Sequence, residues 1–124
     1  MSLDGRVAIV TGAGGGLGRQ HALFLARKGA RVVVNDLSRT TADAVAAEIA
    51  AAGGIAYAFA ASVTDEDAVA TMISRTLERW GRVDILVNNA GILRDKSFAK
   101  MSLDEFRLVL EVHLMGSVIC TKAV

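Results

Sequence analysis

The segment Thr11-Gly12-Ala13-Gly14-Gly15-Gly16-Leu17-Gly18 constrains this chain most. It follows a short β-branched run, Val7–Val10. It precedes a helical pattern with Leu17, Ala22, Phe24, Leu25 and Ala26 that stops at Gly29. A strand, a glycine loop and a helix in that order aim the first backbone N–H groups of the helix at whatever lies over the loop. Those donors and the helix dipole favour an anion. Glycine lets phosphates approach the backbone closely. Glycine clusters also make ordinary turns, so the loop takes its meaning from its context. A Walker loop is excluded, because Arg19-Gln20 stands where Lys and Ser or Thr would be needed. The simple G-x-G-x-x-G register from Gly12 fails because Leu17 takes the third glycine place. The register that fits is G-x-x-x-G-x-G on Gly12, Gly16 and Gly18, with Gly14 and Gly15 inside it.

The rest of the chain alternates in the same way. Arg31–Asn35 is a valine-rich second strand, and Thr40-x-x-Asp43 is expected to cap a helix that runs through alanines to Gly53-Gly54. Ile55–Ala60 is a third strand. Thr64-x-x-Asp67 is expected to cap a helix with Ala68, Val69, Met72, Ile73 and Leu77 on one stripe, ending near Trp80-Gly81. Val83–Val87 is a fourth strand, and the capping box Ser102-x-x-Glu105 opens a last helix that continues to Val124. The order β-α-β-α-β-α-β-α predicts an α/β fold: a Rossmann-type doubly wound parallel sheet with right-handed crossovers and strand order 3-2-1-4. Residues 1–124 form one domain in this reading.

Composition agrees. Hydrophobic residues make up 52% of the chain and aromatics only 5%, so the core is built from Ala, Val, Ile and Leu. Small aliphatic side chains suit helices packed closely on a buried parallel sheet. The net charge is +1 with dispersed basic residues, which argues against a nucleic-acid partner. Cys120 stands alone, which excludes an internal disulfide and leaves no cysteine cluster for a metal. The apolar runs are too short to span a bilayer, and Met1–Arg6 does not read as a signal peptide. The expected partners therefore exclude a membrane, and the expected compartment is the cytoplasm.

In an open sheet of this order, ligands bind at the carboxyl ends of the strands, so the glycine loop reads as a pyrophosphate cradle. Asp36 ends the second strand. A carboxylate there can accept hydrogen bonds from the adenosine ribose hydroxyls and repels the extra phosphate of NADP. Gly15 and Leu37 beside it are uncharged. The expected cofactor is NAD rather than NADP. An aspartate simply solvated at a strand end is the plainer alternative. Asn88-Asn89-Ala90-Gly91 follows the fourth strand and falls in the same crevice, although Asn and Gly also favour ordinary turns.

Thr11-Gly12-x-x-x-Gly16-x-Gly18 together with Asn88-Asn89-Ala90-Gly91 resembles the short-chain dehydrogenase/reductase family. The resemblance covers the whole chain but only the front half of that family's domain. It implies an NAD(P)-dependent oxidoreductase that assembles as a homo-oligomer. Asn89 would brace the sheet, and Ala90 and Gly91 would lie beside the cofactor ribose. The family more often carries Asp-Val where this chain has Ser62-Val63. Ser62 can still hydrogen-bond at the adenine end. Val34–Leu37, Gly91–Phe98 and Val112–Gly116 look like the 3-hydroxyacyl-CoA dehydrogenase branch, the one found in peroxisomal multifunctional enzyme type 2 and in bacterial relatives. That implies a secondary alcohol or ketone substrate, such as an acyl-CoA, and a place in fatty-acid metabolism. His113 holds the position of the family's catalytic asparagine, with Gly116 three residues on. It either braces a proton-relay water or packs as an ordinary helix histidine. Arg94 and Lys96 either meet an anionic CoA-like group or are solvated.

The family handles the hydroxyl proton with a downstream Ser and a Tyr-x-x-x-Lys. The single tyrosine here, Tyr57, has Ala61 at the fourth place and is expected to be a packing residue. The chain therefore reads as a piece truncated before the later strands and inactive alone. It should self-associate through the edge of the fourth strand and the uncovered helix around Leu108, Leu110, Val112 and Leu114. The competing reading is a non-catalytic dinucleotide-binding or interaction module.

Overall fold

The computed structural model describes residues 2–91 and 100–124. Its elements are β1 (Val7–Val10), α1 (Gly16–Arg27), β2 (Arg31–Asp36), α2 (Arg39–Ala51), β3 (Ile55–Ala60), α3 (Glu66–Trp80), β4 (Ile85–Val87), α4 (Leu103–Leu110), a π turn (Glu111–Met115) and α5 (Gly116–Ala123). The four strands are parallel and lie in the order β3-β2-β1-β4, as the alternation predicts.

The sheet is buried on both sides. Ala8, Val10, Val32 and Val34 pack with Ala22, Val45 and Ile49 from α1 and α2. Ile9 and Val33 turn the other way, onto Val69, Met72 and Ile73 of α3 and Cys120 of α5. A strand with two buried faces has no polar side, which is why β1 and β2 read as unbroken runs of aliphatic residues. The placement also explains Tyr57. Its hydroxyl is 2.6 Å from Thr76 Oγ1 and its ring meets Trp80 edge-on at 5.3 Å, so it is a packing residue of the α3 face.

The helix starts differ from the expected caps. α2 is capped by Ser38, whose Oγ accepts from Thr41 N at 3.4 Å, so Thr40 lies inside the first turn. α3 is capped by Asp65, whose carboxylate accepts from Ala68 N at 3.0 Å. Thr64 is unavailable for that job, because its hydroxyl is 2.7 Å from Ser62 Oγ. Ser102 caps α4 as expected, with Glu105 N donating to Ser102 Oγ at 3.1 Å.

The expected single last helix is instead α4, a π turn and α5. Gly116 N donates to Glu111 O, one residue further back than an α-helix allows. The cause is tertiary. Gly116 is buried against Val63, and a Cβ there would lie 2.5 Å from Val63 Cγ2. Widening the helix brings this bare backbone against the loop that follows β3. Among the described residues no helix is long and apolar enough to cross a membrane.

Candidate dinucleotide-binding site

The crevice at the carboxyl ends of β1, β2 and β4 is organised by Thr11, which is buried at the end of β1. Its Oγ1 donates to Val87 O at 3.4 Å and accepts from Asn89 N at 3.1 Å and Ala90 N at 3.0 Å. One hydroxyl hydrogen and two lone pairs are all used. Asn89 Nδ2 adds a bond to Gly12 O at 3.2 Å, and Asn88 Nδ2 reaches Thr121 Oγ1 in α5 at 3.1 Å. The turn after β4 is thus fastened to the glycine loop on one side and to α5 on the other. The sequence marks Thr11 as the first residue of the glycine loop and its motif, but not as a tie to the turn after β4. Its partners lie more than seventy residues away, so nothing local shows its role.

Close approach explains two of the glycines. Gly12 has φ +63°, and a Cβ there would come 2.8 Å from Ala90 Cα. A Cβ on Gly18 would run into the Gly12 carbonyl. The start of α1 therefore lies directly on the loop, backbone to backbone.

The starts of α1 to α4 then differ in a telling way, α5 continuing directly from the π turn. Ser38, Asp65 and Ser102 cap α2, α3 and α4 with side-chain oxygens. Gly15 precedes α1 and offers none, and the first turn of α1 holds no acidic residue. Gly15, Gly16 and Leu17 are exposed at this first turn, while Gly18 is buried against the loop. An uncapped helix start suits an anion.

Asp36 faces this turn from the end of β2. Its Oδ2 accepts from Thr41 Oγ1 at 2.7 Å and from Ser38 N at 3.4 Å. Gly14 lies directly against it, since a Cβ there would be 2.6 Å from Asp36 Oδ2. A cleft of about 70 Å³ brings together Gly12, Asp36, Leu37, Ser62, Val63, Ala90 and Gly91, and adds Asn35, Ala61 and Val112, which are not among the expected site residues. Asn35 is a buried tie: its Nδ2 donates to Phe59 O at 3.0 Å and to Ala61 O at 3.3 Å, holding the end of β3. The Ser62 oxygen accepts from Thr64 N at 3.2 Å, so its hydroxyl already serves its own loop.

His113 sits in the π turn at the rim of the cleft. Its imidazole lies on Gly91, where a Cβ would be 2.5 Å from Cε1 and 3.0 Å from Nε2. Its carbonyl accepts from Ser117 Oγ at 2.8 Å. Arg94 and Lys96 lie outside the described residues. The donor set fits a dinucleotide: an uncapped helix start for a pyrophosphate, a carboxylate two hydroxyls can reach, and a bare-backbone floor at Gly12, Ala90 and Gly91.

Comparison with known proteins agrees with this geometry. Residues 6–124 match the short chain dehydrogenase family. The chain is 54% identical over 129 residues to the peroxisomal multifunctional enzyme type 2 of Drosophila melanogaster, covering 97% of this chain and 21% of that protein. It is 48% identical over 124 residues to the 3-oxoacyl-[acyl-carrier-protein] reductase of Synechocystis, covering 99% of this chain and 50% of that protein. A crystal structure of a short chain dehydrogenase from Mycobacterium avium superposes with a TM-score of 0.93 at 47% identity, over 99% of this chain and 46% of that one. The chain thus spans half or less of each of these relatives. On its motifs, its sheet order and these matches, the chain belongs to the short-chain dehydrogenase family.

Proposed function

We propose that this chain is the cofactor-holding half of an NAD-dependent, cytoplasmic oxidoreductase that acts on a secondary alcohol or ketone, with an acyl thioester such as a 3-hydroxyacyl-CoA as its substrate class. The observation that carries the choice of cofactor is Asp36. Its carboxylate closes the ribose end of the cleft, and no lysine or arginine lines that cleft among the described residues. A 2′-phosphate placed there would meet a negative charge with no partner, whereas a ribose diol would donate to it.

When bound, the nicotinamide supplies hydride acceptance or donation. The protein's share is placement. The first-turn amides of α1 hold the pyrophosphate, and the glycines keep side chains out of its way. Thr11 and Asn89 fix the Ala90-Gly91 floor. At the rim, His113 is a positioning residue that braces a proton-relay water through its imidazole and its turn. Tyr57 takes no part, because its hydroxyl is engaged with Thr76 in the α3 face. These 124 residues hold no Tyr-x-x-x-Lys pair to move the substrate proton, and the chain tested by itself is expected to bind cofactor without turnover. The acyl-thioester assignment is supported by the Synechocystis relative, a 3-oxoacyl-[acyl-carrier-protein] reductase. Leu108, Leu110 and Leu114 are exposed along α4 and the π turn, and they support self-association of the chain as a homo-oligomer.

Calorimetric titration with NAD and NADP tests the reading. NAD is expected to bind more tightly. Asp36→Ala should weaken NAD by about tenfold to a hundredfold, the worth of hydrogen bonds to a charged group. Tighter binding of NADP by the unaltered chain would overturn the choice.

A further inference from the structure

A cavity of about 640 Å³ lies away from the cofactor cleft, along the open edge of β3. Arg39 and Asp43 of α2 bound it on one side, and Arg75, Glu78 and Arg79 of α3 on the other. Its floor is the strand itself, Tyr57–Ala60.

Among the described residues β3 pairs with β2 alone. Ala61 N donates to Asp36 O, and Asp36 is registered with Ala60. In a parallel ladder this turns the peptide groups of Tyr57, Phe59 and Ala61 toward β2. The N–H and C=O groups of Ala56, Ala58 and Ala60 therefore point to the open side. Those residues are small and leave room for a neighbour. The strand carries none of the usual guards of an edge, since Ile55–Ala60 holds no proline and no charged residue.

The charges around the edge are unbalanced. Arg39 is satisfied by Asp43 at 3.2 Å. Arg79 lies 4.4 Å from the Tyr57 ring centre and Arg75 5.7 Å from that of Phe59, and neither makes an ion pair among the described residues. Two guanidiniums thus stand over the Phe59 and Tyr57 rings, and Glu78 is the one carboxylate of α3 that lines the cavity with them.

We propose that this edge is a docking groove for an extended acidic segment of another protein, which adds as a strand beside β3. Its backbone would bond to Ala56, Ala58 and Ala60, and carboxylates on alternate residues would meet Arg75 and Arg79. A second copy of the chain fits less well. Antiparallel pairing about Ala58 sets Tyr57 of one copy beside Phe59 of the other. That brings the Arg79 guanidinium of one chain to the Arg75 guanidinium of the other, a like-charge contact.

The test uses the full-length chain and fluorescein-labelled octapeptides read by anisotropy. A peptide alternating Glu and Val is expected to bind, more weakly as salt rises. One alternating Lys and Val is expected to bind at least tenfold more weakly. Arg75→Glu/Arg79→Glu should lower affinity for the acidic peptide at least tenfold and leave NAD affinity unchanged. N-methylation of alternate peptide bonds in the ligand should abolish binding without altering the protein. Ala58→Pro does the same from the protein side, at a position whose N–H faces solvent and where proline is tolerated. Equal binding of the basic peptide overturns the proposal, as does indifference to Arg75→Glu/Arg79→Glu or to N-methylation. So does absence of binding at millimolar peptide, or a dimer that Ala58→Pro dissociates.

Discussion

The glycine loop and the His113 turn face each other across one cleft, and they are built on opposite terms. The loop works by leaving side chains out. Where a Cβ would go on Gly18 there is already a backbone carbonyl, and the whole device lies within eight residues. The His113 turn works by bringing a side chain in. It needs Gly91 from the end of β4, Gly116 packed on Val63, and a helix widened by one residue. A contact between backbones cannot relax, whereas a ring over a glycine can rotate. The cleft therefore has one rigid wall and one that can yield, and the rigid wall is where a pyrophosphate would sit.

That contrast can be broken by substitution. The largest effect is expected from Gly18→Ala, where overpacking against backbone should cost about 3 kcal/mol. Urea unfolding should show a lower midpoint with an unchanged slope, and a midpoint like that of the unaltered chain would remove the rigid wall from the account. Thr11→Val comes next. It leaves Ala90 N without its partner, at a cost of about 1–3 kcal/mol, and Thr11→Ser should recover most of it. If valine is tolerated as well as serine, the hydroxyl is not what fastens the two walls.

Gly91→Ala probes the yielding wall. Here the new methyl meets only an imidazole, so the expected cost is below about 1 kcal/mol, close to an ordinary surface change. The imidazole should move instead, which the His113 ring shifts in an NMR spectrum would report. A cost equal to that of Gly18→Ala would erase the difference between the walls.

The smallest effect serves as a control at the other end of the sheet. Asp84 is held below the usual carboxylate range, first by hydrogen bonds from Arg82 and then by the Val7 N–H at 2.9 Å. A depressed folded pKa means that its contribution is present above the ordinary carboxylate pKa and is lost as pH falls through the lower folded value. Asp84→Asn should be slightly less stable than the unaltered chain at neutral pH, and the two should converge in acid. NAD affinity should not change, because Asp84 lies at the amino end of β4, away from the cleft.

Particular residues show how far the sequence could be read. Val7–Val10 and Arg31–Asn35 announced buried parallel strands because both of their faces are covered, and the order 3-2-1-4 followed from alternation and handedness. The glycine register was legible because its spacing is local, and Asp36 because it ends the strand that follows the helix after the loop. The caps of α2 and α3 fall on Ser38 and Asp65 instead: Ser38 starts α2 two residues before Thr40, and the Thr64 hydroxyl is bound to Ser62. The role of Asn35 as a tie was not legible, since its partners are the carbonyls of Phe59 and Ala61, more than twenty residues on.

By itself, then, the sequence determined the layered sheet, the loop and the carboxylate opposite it. These depend on periodicity, on a local glycine spacing, and on the end of the next strand in the alternation. The hub at Thr11, the break in the last helix and the seat of His113 on Gly91 were decided only by the tertiary structure. Each joins elements that are distant along the chain, and hydrogen-bond saturation and close packing act on distance in space, to which a linear pattern gives no access.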